Sequence, residues 1–593
     1  MPKLEKINEV RHSLAHLLAA AVLKKFPKAK LGIGPVIENG FYYDFKLPRP
    51  LTEVDLRELE HTMRALVMEK LPFSGKKISP AAAKKLFKDQ PFKLDLIKEF
   101  QKDKKPLTIY ITGKAINAKY QIPDTKYFVD LCRGGHVKNT GEINSEGFKL
   151  TSIAGAYWRG NEKNPQLQRI YGLAFGSGKE LKDYETLMEE AKKRDHRKLG
   201  KELKLFTIVD EIGAGLPLFY PKGAILRRIV ENFIIEMQEK RGYVPIWIPH
   251  ITKGELYKIS GHLDKYDAMY PPMKLKGEAD YYLKPMNCPH FMMLYKSEPH
   301  SYKELPIRMT STTTNYRYEK SGELSGLTRV RSLTQDDCHV FSAPEQIEGE
   351  INLMLDMIDE TYSAFRFKDF WVRISTHDPK DKDKYIGDPK IWKQSENILE
   401  KLITKRGWKN EVVPGEAAFY GPKLDFMAKD VLGREWQLST IQLDMNLPKR
   451  FGLEYIDEKG NKRQPIVIHR AILGSTERFL GILIEHYGGD FPVWLSPIQA
   501  RIIPISDRHR EYAEKILKAL KDSNVRSDIA PEGETLGKNI RGGELEKIPY
   551  LLVVGDKEIE EKSVNVRERH KKETFVSSVE KFIERIKKEE KDR

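Results

Sequence analysis

The run LKDYETLMEEAKKRDHRKLGKEL, residues 181–203, constrains the architecture of this chain more than any other stretch. It is highly charged, lacks proline and carries leucines at helical spacing, so it predicts a solvated helix that joins separate bodies. A length of 593 residues supplies enough chain for about four domains. Residues 1–180 form a first region with α+β character. It opens on a predicted amphipathic helix, HSLAHLLAAAVLKKF, followed by a hairpin-like GIGPVIENGFYYDF, and it holds YFVDLCRGGHVKNTGEI and AGAYWRG among short strands punctuated by glycine. Residues 204–495 form a second region. There a helix, AILRRIVENFIIEMQEKRG, feeds a strand-like VPIWIP, and STHDPKDKDKYIGDPK reads as a charged surface loop. Residues 496–593 alternate strands (ARIIPI, YLLVVG) with helices (REYAEKILKALKDS, EKFIERIKKEE), the pattern of a small α/β domain.

Composition narrows the function classes. Charges interrupt every apolar stretch well short of the ~18 residues that a membrane span needs. The N-terminal apolar stretch carries a histidine and lacks a convincing cleavage site, so it reads as a helix and not a signal peptide. Three cysteines, Cys132, Cys288 and Cys338, are too few for a disulfide framework and suit a reducing compartment, in which a thiol is free to ligate or react. The expected location is cytoplasmic. A net charge of +16 suggests a polyanionic partner, although a lysine-rich composition alone could produce it.

The chemistry-bearing residues sit in distinctive blocks. Cys288 lies in KPMNCPH, His339 in RSLTQDDCHVF and His469 in VIHRAILGSTERFLGIL. TTTNYRYEKSGELSGLTRVRSLTQDD contains an aromatic-Arg-x-Glu with Arg317 and Glu319, and GSTERFLGIL carries Arg478. RGYVPIWIP spans Arg241–Pro249. No glycine loop of the Walker type is present. Together the blocks resemble the three motifs of class II aminoacyl-tRNA synthetases, and specifically the threonyl-tRNA synthetase family of the bacterial type with an editing domain. The resemblance runs from His12 to about Arg567.

The resemblance implies an α+β multidomain protein: an N-terminal α+β editing domain (1–180), a connecting helix (181–203), a catalytic core on an antiparallel sheet (204–495) and an α/β anticodon-binding domain (496–593). It implies ATP-dependent activation of L-threonine, transfer to tRNA(Thr), hydrolysis of mischarged seryl-tRNA(Thr), a homodimer formed through the Arg241–Pro249 motif, and no membrane partner. Cys288, His339 and His469 are then the ligands of one zinc, a three-ligand site that leaves a position for substrate. Adjacent strand residues face opposite ways, so Cys338 and His339 cannot easily both face one metal, and the resemblance implies that His339 is the ligand. Asp337, Gln335, Tyr420, Gln442 and Met286 are the expected threonine pocket. Arg317, Glu319, Arg329, Gln437 and Arg478 are the expected ATP site, with magnesium accompanying the phosphates. An arginine suits the α-phosphate because its planar fork bonds oxygens bidentately and is always charged. His262, in SGHLDKYDAM, is a candidate aid to proton transfer at the tRNA 3′ end, or simply a turn histidine after Gly261.

Serine differs from threonine by one methyl, a difference a pocket discriminates only about 10–200-fold, so a second, hydrolytic site is expected. His12 and His16, at i and i+4 on one helix, with Cys132 and His136 form that site, and Asp130 and Tyr127 are weaker candidates. Read from residue types alone, this set looks like a closed zinc site. The resemblance implies metal-free hydrolysis by water. Lys557, Glu558 and Arg567 match anticodon-contacting positions. Three departures from the family pattern stand out. The editing motif begins almost at once in this sequence, so the small ubiquitin-like module of many bacterial members is expected to be missing. Phe291 stands where the family often has histidine, and Gly533 stands where an asparagine commonly reads the anticodon. The rival readings are an RNA-binding regulator without catalysis, a free-standing deacylase, and a seryl or prolyl relative.

Overall fold

The structure is a computed structural model that describes residues 2–113, 128–381, 383–430 and 433–591. The chain divides into two compact units, Met1–Glu189 and Glu190–Arg593.

In the first unit a helix, Pro2–Lys25, contacts the helix Glu53–Met68, the strand Gly40–Lys46 and the strand Phe128–Leu131. The expected amphipathic helix is instead buried on almost every side between Ser13 and Val22. The reason is position: it lies against elements of two sheets. One is antiparallel and runs Lys30–Leu31, Gly40–Lys46, Gln166–Ala174, Phe148–Tyr157. The other is a three-stranded antiparallel sheet of Phe73–Lys77, Thr108–Thr112 and Phe128–Leu131.

The connecting segment forms two helices, Gly178–Arg194 and His196–Glu202, broken at Asp195. Asp195 sits at φ −49, ψ 120, and its carboxylate accepts from Arg197 N, which starts the second helix. The first helix is largely exposed, as its charge predicts. The second is not solvated: His196, Leu199 and Gly200 are buried. Its leucines and its histidine are used for packing, a distinction that helical spacing alone does not make.

The second unit is built on an eight-stranded sheet. Its order is Val244–Pro245, Ile307–Tyr316, Ser332–Ser342, Ile466–Ala471, Glu435–Asp444, Lys423–Lys429, Phe370–Thr376, Asn410–Pro414. The two outermost pairings are parallel and the rest antiparallel. One face packs on the helices Pro221–Glu239, Ile347–Ala364, Pro389–Arg406 and Thr476–Tyr487, with a core that includes Cys338, Val340, Ile441 and Ile468. The other face carries the polar side chains described below. A five-stranded mixed sheet, ordered Ser527–Ile529, Ala500–Pro504, Tyr550–Val554, Ser563–Glu568, Thr574–Ser578, closes the chain. It packs on its own helices, Arg510–Asp522 and Val579–Lys591.

Candidate active site

The period-2 alternation of strand Ser332–Ser342 sorts its polar residues into two sets. Gln335, Asp337 and His339 face one side, while Asp336 and Cys338 face the other. Cys338 packs into the helix-side core, and His339, also buried, points to the opposite face of the sheet. Asp336 is structural. It accepts from Ile472 N (2.8 Å) and Leu473 N (2.9 Å), fixing the turn after strand Ile466–Ala471.

Strand register then assembles the cluster. His339 lies directly opposite His469, and His469 directly opposite Gln442, so the three form a row across adjacent strands. Helix Cys288–Lys296, started by Pro289, holds Cys288 over them. One donor atom each from Cys288, His339 and His469 falls within a 4.8 Å group, and all three residues are buried. Both ring nitrogens of His339 lack a hydrogen-bond partner in the protein. A buried imidazole in that state is costly unless something else binds it. The Nε2 of His469 meets Asp444 Oδ2 at 2.9 Å, and Asp444 is itself held by Asn446 N and Leu447 N. A thiol, two imidazoles and a carboxylate behind one of them are donors and outer support of the kind that could hold a zinc ion. Burial would lower the pKa of His469, but Cys288 and Asp444 raise it, to about 10. Phe291 stacks on His339 at 4.2 Å between ring centroids, filling by packing the place where the family often has histidine.

Around this cluster lie most of the expected pocket residues. Asp337 accepts from Asn287 Nδ2 at 2.8 Å. Burial raises its pKa, and Asn287 and His469 counter that effect. Tyr420 OH donates to Gln442 Oε1, and its ring stacks on His469 at 5.0 Å. Gln335 is tied to Asn315 Nδ2 (2.6 Å) and to the Gly474 carbonyl (3.1 Å). Met286 Sδ lies 3.2 Å from His262 Nε2, and His262 Nδ1 meets Ser260 Oγ at 2.7 Å. His262 is wholly buried, and burial lowers its pKa to about 3, leaving a neutral imidazole behind Met286. Gly261, at φ +83, turns the chain so that His262 can start its short helix.

Three arginines converge on the same unit. Arg478 donates to the Thr328 carbonyl at 3.1 Å. Burial lowers its pKa, and Arg317 and Arg329 lower it further, against Glu319. Three arginines set against two carboxylates, Glu319 and Glu323, leave a net positive cluster that suits a polyphosphate. Arg329 pairs with Glu319 and Glu323, and Arg317 Nε donates to the Pro285 carbonyl at 3.4 Å. Gln437 is bonded to Arg373 (3.0 Å) and Asp425 (2.8 Å).

The first unit holds a second cluster. His12 Nε2 lies 3.5 Å and His136 Nε2 3.2 Å from Cys132 Sγ, and His16 joins the same 4.8 Å group. Gly134 (φ +105) and Gly135 (φ +83) curl the chain back, so that Cys132 and His136 face the helix bearing His12 and His16. Burial, then His16 and His12, push His136 down to about 2, and burial pushes the Cys132 thiol up to about 11. Without a metal the site holds neutral imidazoles and a neutral thiol: bases for water, with the sulfur in its poorly nucleophilic form. Asp130 is buried with Lys93 Nζ at 2.5 Å and Tyr43 OH at 2.5 Å, and lies 4.0 Å from His16. Sequence reasoning misses Lys93, Tyr43 and Ser13, whose Oγ is 3.2 Å from His136 Nδ1. No spacing signal links Lys93 to its distant partner. Tyr127 lies outside the described residues.

At the C-terminal sheet, Lys557 is exposed, and Arg567 contacts Glu544 at 3.1 Å. Glu558 is buried and accepts from Gly555 N at 2.9 Å, so its carboxylate caps its own helix. Gly533 sits at φ +76, in the left-handed region that glycine and asparagine share, which accounts for either residue at this turn.

Family comparisons agree with this geometry. Residues 273–487 match the tRNA synthetase class II core domain (G, H, P, S and T), 499–589 an anticodon binding domain, and 119–171 the threonyl and alanyl tRNA synthetase second additional domain. A threonine–tRNA ligase of Rubrobacter xylanophilus is 48% identical over 585 residues, 98% of this chain and 89% of the relative. One of Gloeobacter violaceus is 48% identical over 573 residues, 95% of this chain and 89% of the relative. A crystal structure described as the RNA binding domain of threonyl-tRNA synthetase from Cryptosporidium parvum superposes with a TM-score of 0.63 at 37% identity, covering 66% of this chain and 98% of that one. The chain belongs to the threonine–tRNA ligases, the threonyl-tRNA synthetase family of class II aminoacyl-tRNA synthetases.

Proposed function

We propose that this chain activates L-threonine with ATP, transfers the threonyl group to the 3′ end of tRNA(Thr), and hydrolyses seryl-tRNA(Thr) at a separate site. The observation that carries the reading is the buried Cys288–His339–His469 cluster beside Asp337. These three residues would hold one zinc, whose coordination could expand to take a substrate amino group and hydroxyl together.

The chain's own groups do the rest. Asp337, with Gln335, Gln442 and Tyr420, orients threonine. Valine has the same shape but no hydroxyl, and a site built to bond that hydroxyl rejects such an analogue by about 10⁴–10⁵. Glu319 accepts from the adenine amino group, and magnesium accompanies the phosphates. A threonine carboxylate oxygen bonds to the α-phosphorus as the bond to pyrophosphate breaks. Arg317 stabilises the charge that builds there, and Arg329 and Arg478 hold the departing phosphates. The terminal ribose hydroxyl of tRNA then attacks the activated carbonyl, and AMP leaves. His262, in contact with Met286, is the candidate acceptor of that proton, a role that requires the bound tRNA to raise its basicity.

In the first unit, a neutral imidazole among His12, His16 and His136 takes a proton from water as it attacks the seryl ester. The bond from Ser13 to His136, which occupies one imidazole nitrogen, and the family resemblance favour metal-free hydrolysis over a closed zinc site. The domains are then assigned as 1–180 editing, 181–203 connector, 204–495 catalytic and 496–593 anticodon-binding, with Lys557 and Arg567 available to bases. Homodimerisation through the Arg241–Pro249 segment is supported by Trp247 and Val244, both exposed at the sheet edge. No helix among the described residues is long and apolar enough to cross a membrane, in keeping with a cytoplasmic enzyme. The regulator reading is disfavoured because the arginine cluster and the Cys-His-His cluster are both assembled.

Amino-acid-dependent ATP–pyrophosphate exchange on zinc-quantified protein tests the proposal. Threonine should give strong exchange, serine weaker and valine none, at about one zinc per chain. A folded, zinc-replete protein that exchanges with none of them would overturn it.

A further inference from the structure

His196 is buried, and both of its ring nitrogens are engaged. Its Nε2 lies 3.0 Å from Leu327 N, an obligate donor, so Nε2 must be the acceptor. The proton is therefore on Nδ1, which donates to Glu485 Oε1 at 2.6 Å, and the same oxygen accepts from His196 N at 3.0 Å. With both nitrogens committed, the Asp195, His196 and Glu485 grouping is a hydrogen-bonded link and not a vacant metal site. Glu485 is further held by Arg434. One ring thus ties helix His196–Glu202 to helix Thr476–Tyr487 and to the chain at Leu327.

That chain segment is the stalk of the expected ATP loop. Arg329 follows Leu327 by two residues and pairs with Glu319 and Glu323. Thr328 O accepts from Arg478. The fit is close: a Cβ on Gly326, which sits at φ +47, would fall 2.1 Å from His196 Nε2, and one on Gly481 would fall 3.2 Å from Leu327 and 3.5 Å from His196. A side chain on Gly326 would force the loop and the ring apart, and one on Gly481 would press on Leu327 and Thr328.

The geometry points to His196 as a positioning residue: through Leu327 N it sets the loop that presents Arg329 and Glu319 to ATP, and through Glu485 it couples that loop to the helix bearing Arg478. It touches no substrate. This inference rests on the ATP-site reading above and adds the residue that holds the site's register.

The test is threonine-dependent pyrophosphate exchange on the full chain, with rates normalised by active-site titration. H196N keeps an amide N–H where Nδ1 stands, so the bond to Glu485 can persist, but it offers no acceptor at the Nε2 position. Loss of that acceptor strands a buried N–H, and KM for ATP should rise about tenfold while KM for threonine stays within about twofold. H196Q restores an oxygen near the Nε2 position and should return KM for ATP towards the unmodified value. G326A displaces the loop without altering the ring's bonds to Glu485 and should behave like H196N. A purely structural role predicts fewer active sites with both KM values unchanged, or equal defects in H196N and H196Q. Either result would overturn the inference. If the unmodified protein shows no exchange at all, it is the ATP-site reading that fails.

Discussion

At the residue scale, two clusters share the same donor types and differ in what surrounds them. Cys288 sits with two imidazoles over a polar sheet, and His339 has no hydrogen-bond partner on either nitrogen. Cys132 sits with three imidazoles, one already bonded to Ser13, and its thiol is pushed up to about 11 by burial. The first leaves both nitrogens of a buried imidazole without a partner among the described residues, whereas the second leaves one, His16 Nδ1. C288A should therefore lower zinc content from about one per chain to near zero and abolish exchange. C132A should leave zinc and exchange unchanged and reduce only seryl-tRNA deacylation. Zinc quantification by plasma mass spectrometry reads this directly, and loss of zinc in C132A would reverse the assignment. Arg478 makes a separate prediction. It is held by Thr328 and faces Arg317 and Arg329, so its charge is preorganised. R478A should lower kcat for exchange on the order of 10²-fold, because it removes a fixed cation from a site where charge develops. A change confined to the threonine KM would place Arg478 outside the ATP site.

At the element scale, the helix bearing His12 and His16 shows what burial does to titration. Burial holds His16 far below its ordinary range and His136 near 2, while unfolded histidine titrates near 6.5. The folded unit thus binds fewer protons than the unfolded chain below about pH 6.5. Stability from this source is fully present above that pH and is lost as pH falls through it. Each such histidine costs about 1.4 kcal/mol per pH unit there. The melting temperature of residues 1–189 should fall between pH 7.5 and 5.5, a window above the carboxylate range, and H136Q should fall less steeply. A flat profile would mean that the imidazoles are charged or solvated in the fold.

The same helix shows where sequence reasoning stops. His12 and His16 on one face are legible from i, i+4 spacing, and Cys132 with His136 from their local motif. That the helix is buried on nearly all sides is not legible, because its alanines fit a buried helix and an amphipathic one equally well. Strand alternation separates Cys338 from His339, and the family resemblance picks His339 of the two. The row of His339, His469 and Gln442 depends on register between strands far apart in the chain, which only the family resemblance anticipates. Lys93, Asp444 and His196 carry no local signal at all, since each acts through a partner set by tertiary packing. Glu558 carries a signal that misleads: an acidic residue at a helix start is as well suited to capping as to reading a base.

At the scale of the whole molecule, the two compact units each have their own hydrophobic cores. The chemistry divides along the same line, with hydrolysis in residues 1–189 and activation in residues 190–593. Each fragment should keep its own reaction: the first deacylates seryl-tRNA, and the second exchanges pyrophosphate with threonine. What the second fragment leaves open to solvent is a sheet edge. Val244–Pro245 is an end strand paired on one side only, and next to it Trp247 is 80% exposed and Val244 52% exposed. A large aromatic at that exposure is unfavourable for a lone chain and suits a self-complementary contact, in which the same edge meets its copy. Light scattering should give about twice the 68.6 kDa chain mass for the intact protein. W247E, which places a charge at the centre of that contact, should shift the mass to one chain and lower exchange with it. A monomer from the unmodified protein, or W247E still dimeric, would remove this edge as the interface, and Trp247 would then have to be explained by a different partner.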